Sequence, residues 1–154
     1  MTTDTATTTI RLAIMDDLMP CVAMILQMRQ DTFWRHIIPE LDRGEVAVLL
    51  AHRLLTDQKS CLYVAELDGK LIGLCGGEIT QHFLSPSVPI LHEWAWWVED
   101  AYRHDRVGGR LWRAVCVWGH QRGARVEFRV RSLAGQPGDT ILGTEAYTVK
   151  EMRP

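Results

Sequence analysis

The stretch Leu91-His-Glu-Trp-Ala-Trp-Trp-Val98-Glu-Asp-Ala-Tyr-Arg103-His-Asp-Arg-Val-Gly108-Gly109-Arg-Leu-Trp112 decides the fold of this chain. Residues 91–98 are apolar on both faces, which predicts a central strand covered on each side. A polar turn follows, carrying the basic side chains Arg103, His104, Arg106 and Arg110. Val107, Leu111, Ala114, Val115 and Trp118 then keep helical spacing, and Gly123 supplies the usual stop. A strand feeding a Gly-containing turn at a helix start makes a ready anion site. The first helical amides lack intrahelical partners, and the macrodipole is positive there. Gly108 and Gly109 let a phosphate approach the backbone closely.

Working outward, residues 124–130 alternate strictly and read as a further strand. One helix between two such strands gives a parallel pair with a right-handed crossover. Upstream, residues 10–14 form a first strand, Asp16 or Asp17 offers an N-cap, and a helix runs to about Gln30. Residues 31–39 read as a loop whose Phe33 and Trp34 either close the core or line a substrate mouth. Asp42 and Glu45 resemble a capping box for a second helix ending near Thr56. Residues 61–67 and 70–79 form a hairpin around Asp68-Gly69, the two-residue turn that twisted hairpins favour. Gly73, Gly76 and Gly77 in its second arm suggest a bulge or a close backbone approach. Residues 80–90, with Pro86 and Pro89, read as a loop, and 144–150 as an edge strand. The order is β-α-α-β-β-β-α-β-β, an α/β fold with a mixed sheet flanked by helices. We expect a disordered tail over 1–8 and a single domain over 9–154.

No apolar run approaches the ~20 residues that span a bilayer, and the N-terminus lacks the pattern of a signal peptide. Cys21, Cys61, Cys75 and Cys116 form no C-x-x-C pair and the histidines lack ligand spacing, so no metal site is expected. Buried reduced thiols in a cytoplasmic protein fit better. The net charge of −2 argues against general nucleic-acid binding. Between Glu99 and Arg131, however, eight arginines face four acids, a local +4 that leaves −6 for the rest. A basic field around a phosphate-shaped turn suits a small polyanion.

The element order and the turn together resemble the GNAT superfamily of N-acetyltransferases. That family carries R/Q-x-x-G-x-G/A at the start of its central helix. Here the segment reads Arg103-His104-Asp105-Arg106-Val107-Gly108, after Trp96-Trp97-Val98. Residues 97–103 also look like the family's V-x-P-x-x-R approach, with Asp100 or Ala101 at the proline position. The first signature glycine is Arg106, whose side chain must point away from the cofactor or touch a phosphate. The family normally adds a helix bearing a tyrosine general acid after the strand at 126–130; residues 131–143 are too short and Gly-rich for it. The resemblance is therefore to divergent, C-terminally shortened members such as those in phage genomes.

The resemblance implies acetyl-CoA as acyl donor. Its pyrophosphate would lie on His104, Asp105, Arg106, Val107, Gly108 and Gly109, with Arg103 and Arg110 assisting. Its pantetheine arm would pair with backbone groups of Trp96, Trp97 and Val98. The acceptor would be an amine. Glu93 would be the general base, or else a structural acid paired with Arg129. Tyr147, on the last strand, is the candidate acid. The shortened C-terminal region suggests a homodimer formed through the bare edge near 126–130. The competing reading is an acyl-CoA-binding or interaction module that lost turnover. A nucleotide-binding domain is disfavoured, because no G-x-x-x-x-G-K-[ST] is present.

Overall fold

The computed structural model describes residues 7–32, 34–124, 126–130 and 147–151, the last two stretches as backbone. The strands are β1 (Thr9–Leu12), β2 (Ser60–Leu67), β3 (Lys70–His82), β4 (Ser85–Val98), β5 (Val126–Val130) and β6 (Tyr147–Glu151). They form one sheet in sequence order. Every neighbouring pair is antiparallel except β4 and β5, which run parallel. The helices are α1 (Leu18–Asp31), α2 (Trp34–Ile37), α3 (Arg43–Leu55) and α4 (Val107–Gln121). The expected order is present, with the single turn α2 added inside the segment read as a loop.

The sheet separates two cores. Val22, Ile25 and Leu50 from α1 and α3 pack on Leu62, Val64, Leu74 and Trp97. Across the sheet, Val107, Leu111 and Val115 of α4 pack on Ile72, Leu91 and Val98. Asp42 caps α3, accepting the Glu45 amide at 2.9 Å. At the other end of the chain's second core, α4 stops where Gly123 adopts φ +83. There the Ala124 and Gly123 amides reach back to Gly119 and His120 carbonyls, both at 3.0 Å, as a Schellman stop requires.

The Asp68-Gly69 turn takes positive φ at both positions, 51 and 79, which is the I′ geometry expected there. Three expectations are corrected. Residues 80–90 are not a loop: β3 runs to His82, β4 begins at Ser85, and Phe83-Leu84 form a two-residue tip. Pro86 and Pro89 are tolerated because β5 pairs only from Ile90 onward, leaving the earlier part of β4 with one ladder. Asp17 precedes α1 without capping it. Its carboxylate takes the Ile14 amide at 2.8 Å and the Arg11 guanidinium at 2.6 and 3.0 Å. The edge of β5 is not bare either, since β6 pairs along its full length from Val126–Glu151 to Val130–Tyr147. The expectations for residues 1–6 and 131–146 fall outside the described residues.

All four cysteines are reduced thiols, and Cys21, Cys61 and Cys75 are buried. Burial pushes the Cys21 and Cys61 thiols up to about 12, so neither is a nucleophile at neutral pH. Among the described residues no helix is long and apolar enough to cross a membrane.

Candidate active site

The site begins where two parallel strands part. β4 and β5 pair only at Ile90–Val126, Leu91–Glu127 and His92–Phe128. From Glu93 to Val98, the edge of β4 turned away from β3 has no ladder partner among the described strands. An extended ligand can pair with such an edge through backbone hydrogen bonds alone.

A bulge re-aims the side chains at the same point. Gly77 lies opposite Glu93 but Gly76 lies opposite Ala95, so Trp94 is the extra residue. Its indole covers Gly76, where an added Cβ would sit 2.3 Å from the ring. Close approach is thus the reason for that glycine. Beyond the bulge, Ala95 and Trp97 join the α1–α3 core, whereas Trp96 and Val98 join the α4 core.

The chain then turns through Asp100–Tyr102 and reaches α4 by way of Arg106, in the left-handed region at φ 59, ψ 11. A side chain there costs roughly 1–2 kcal/mol relative to right-handed backbone, which is why glycine suits this signature position. The first intrahelical bond runs from the Arg110 amide to the Arg106 carbonyl at 3.1 Å. The amides of Val107, Gly108 and Gly109 precede it, and the first turn of α4 holds no acidic residue. His104, Asp105 and Arg106 are exposed on the turn.

The two glycines differ. A Cβ on Gly108 would lie 3.3 Å from the Trp96 indole, whose Nε1 donates to the Gly108 carbonyl at 3.2 Å. A Cβ on Gly109 would meet nothing within 4 Å. Arg103 is held in place: its Nε donates to the Val98 carbonyl at 2.9 Å, and its guanidinium pairs with Asp100 and, at 3.6 Å, with Asp31. Asp31, at the end of α1, also accepts the Trp97 indole at 3.0 Å. The Trp97 ring is therefore structural, and only its backbone is offered to a ligand. Arg110 reaches the Thr8 carbonyl at 2.7 Å. Trp96, Trp97, Val98, Arg103 and Gly108 line a cavity of about 290 Å³ together with Asp31 and Thr32. Ten of the expected cofactor residues thus border one strand end and turn, and Arg110 stands beside them.

The expected catalytic residues are less close together. Glu93 stands one step beyond the last β4–β5 register pair, with its Oε2 out of contact with solvent. Tyr147 lies opposite Val130 on β6, and its side chain, like that of Arg129, falls outside the described residues. The sequence reading missed a polar cluster on the α1–α3 face. His92 lies opposite Glu78, and Arg53 of α3 pairs with Glu78 at 3.2 Å while stacking 4.8 Å over Trp94. Burial lowers the His92 pKa from its ordinary value, and the Glu78 charge partly offsets that. The missed signal was a second titratable residue, adjacent to Glu93, in an otherwise apolar strand. Among the described residues no His, Cys, Asp and Glu cluster could hold a metal.

A mixed sheet whose central parallel pair parts over a glycine-bearing helix start defines an α/β protein built to hold an extended anionic ligand. Residues 23–134 match the model of the acetyltransferase (GNAT) family, and the chain belongs to that family. No curated protein matches it. Among solved structures it is similar to a predicted acetyltransferase from Clostridium acetobutylicum with acetyl-CoA, at TM-score 0.71 and 15% identity. That match covers 89% of this chain and 92% of the other. An aminoglycoside N-acetyltransferase in complex with CoA matches at TM-score 0.69 and 19% identity, over 82% and 78%. The glucosamine-6-phosphate N-acetyltransferase of Arabidopsis thaliana matches at 0.66 and 14%, over 91% and 98%.

Proposed function

We propose that this chain transfers an acetyl group from acetyl-CoA to a primary amine of a small molecule or protein. The observation that carries this reading is the parted β4–β5 edge leading directly to the first turn of α4. The residues present fit the donor: an open strand edge for an extended amide-bearing arm, and acid-free helix amides with arginines for a pyrophosphate. Acetyl-CoA supplies an activated acyl group as a thioester. The chain's own part is to hold that group, polarise its carbonyl with β4 amides, and take the proton that the amine sheds. Solved structures of similar fold are named for aminoglycoside and glucosamine-6-phosphate acetylation, which supports an amine acceptor.

The proton must leave where the strands part. Glu93 stands there, as does its neighbour His92. For the opposite transfer, Tyr147 is the proposed donor to the leaving thiolate, since β6 flanks the strand that forms the second wall of the split. A second copy of the chain is proposed to pair along β6, whose outer edge has no partner among the described strands. A monomeric mass by light scattering at high concentration would remove that part.

The decisive experiment is calorimetry with acetyl-CoA, then CoA release with primary amines of several kinds. Tight binding with release for at least one amine supports the transferase. Binding without release from any of them supports instead a GNAT-fold binding module.

A further inference from the structure

The cavity at the open end of β4 holds a carboxylate as well as a cation. Asp31 and Arg103 both line it, beside Trp96, Trp97, Val98 and Gly108. Each nitrogen of the Arg103 guanidinium already has a partner. Nε donates to the Val98 carbonyl at 2.9 Å, Nη1 pairs with Asp100, and Nη2 faces the Asp31 carboxylate at 3.6 Å. That last contact is too long for a hydrogen bond and rests on charge alone. Asp31 has hydrogen bonds of its own: Oδ2 accepts the Trp97 indole at 3.0 Å, and Oδ1 the Gln27 side-chain amide at 2.8 Å. A phosphate oxygen can therefore take the place of Asp31 at Nη2 without either side chain losing a hydrogen bond.

We propose that Asp31 is the counter-ion that a donor phosphate displaces from Arg103, and that its renewed pairing with Arg103 speeds the departure of CoA. The inference rests on the transferase reading above. Acetyl-CoA and CoA carry the same phosphates. A grip on those groups is equal in substrate and product, so it tightens binding without hastening chemistry, and it slows release. Asp31 weakens that grip. Arg103 meets an incoming phosphate with its charge already balanced by two carboxylates. Asp100 is 82% exposed on the turn, where water screens it. The Asp31 side chain is 29% exposed, and Trp97 and Gln27 fix it beside the cavity. The repulsion therefore falls on Asp31, and it is relieved when CoA leaves. Asp31 acts through Arg103 and is a positioning residue, not a catalytic one.

The test measures binding of CoA, acetyl-CoA and acetyl-pantetheine to the wild type, Asp31→Asn and Asp31→Ser by calorimetry. CoA dissociation is followed by tryptophan fluorescence in stopped flow. Acetyl-pantetheine carries the thioester arm without the phosphates. Asp31→Asn removes the charge but keeps an acceptor for the Trp97 indole. It should bind CoA and acetyl-CoA about two- to fivefold more tightly, the range of a part-exposed ion pair. CoA should dissociate more slowly by the same factor, and affinity should fall more steeply with salt. Acetyl-pantetheine should bind as it does to the wild type. An Asp31 that serves the fold alone would weaken all three ligands or none. Should Asp31→Asn lose the fold, Asp31→Ser is held to the same pattern. Unchanged or weaker CoA binding by the folded variant, or equal tightening of acetyl-pantetheine, overturns the proposal. If the wild-type chain binds neither CoA nor acetyl-CoA, the transferase reading falls and this inference with it.

Discussion

The starts of α1 and α4 are both helix N-termini fed by a strand, yet they are built differently. Before α1, Asp16 and Asp17 fill the approach, and Arg11 is already held by Asp17 and Glu66, each at 2.6 Å. Neither helix has an acid in its first turn, but before α4 the backbone turns left-handed at Arg106 and two glycines follow. Every helix has a positive end. What distinguishes the α4 start is that Gly108 and Gly109 put no side chain over its first amides and that Gly108 lines a cavity. The α1 start is spent on holding β1 to β2, whereas the α4 start faces a cavity.

The largest effect that would break this comparison is at Gly108. Gly108→Val should lower acetyl-CoA affinity by about 100-fold or more, some 2.7 kcal/mol, while far-UV circular dichroism stays unchanged. Its side chain would press on the Trp96 ring and cover the helix amides together. Gly109→Ala sharpens the result, because nothing stands within 4 Å of its Cβ. Any loss of binding there belongs to the ligand and not to the fold. Normal acetyl-CoA binding by Gly108→Val in calorimetry would reduce the glycines to a packing feature.

Asp17 gives the next largest effect, on stability alone. Asp17→Asn should cost about 1–3 kcal/mol, the range for a buried charge-assisted hydrogen bond, and leave acetyl-CoA affinity as it was. The Arg11 hydrogen bond holds the Asp17 carboxyl below its ordinary value of 3.8. Its contribution is therefore full above the unfolded pKa and is lost as pH falls through the folded one. Urea melts of the wild type between pH 5 and pH 3, set against Asp17→Asn, should show a smaller acid loss in the variant. Equal acid losses would mean that the pair is not linked to folding.

Charge reversal at Arg103 should have a middling effect, about tenfold on acetyl-CoA affinity, with a weaker salt dependence than the wild type because a phosphate contact is gone. Arg103→Gln, which can still donate to the Val98 carbonyl, separates charge from tethering. Equal affinity for all three proteins would take Arg103 out of the site. The smallest effect is at Arg106, where Arg106→Gly relieves left-handed strain. It should raise stability by about 1 kcal/mol, or roughly 2–4 °C in Tm for a chain of this size. A lower Tm would show that the arginine side chain contributes more than its backbone costs.

The turn and its helix were readable because their signals are local. Glycines, basic residues and the 3.6-residue apolar spacing of 107–118 act within a few residues of one another. The Asp68-Gly69 hairpin and the Asp42 cap were readable for the same reason. Prolines misled at 86 and 89, because whether a strand tolerates proline depends on which edge its neighbour occupies, and the neighbour here lies some forty residues further along the chain. Arg103 was legible as a basic residue of the turn, but its hold on Val98 and Asp31 was not, since Asp31 arrives from another helix.

The sequence alone determined the order of elements, the glycine-bearing helix start and hence the kind of ligand that fits there. These rest on short-range rules of periodicity, capping and charge. Only the tertiary structure decided which side of β4 each residue serves. One extra residue at Trp94 inverts the alternation, and a bulge is set by pairing with Gly76 and Gly77 across the sheet. With a side-chain period of two, a single inserted residue exchanges the two faces. Glu93, the conspicuous acid in the sequence, thus shares the α4 side with Leu91, and His92 shares the α3 side with Glu78.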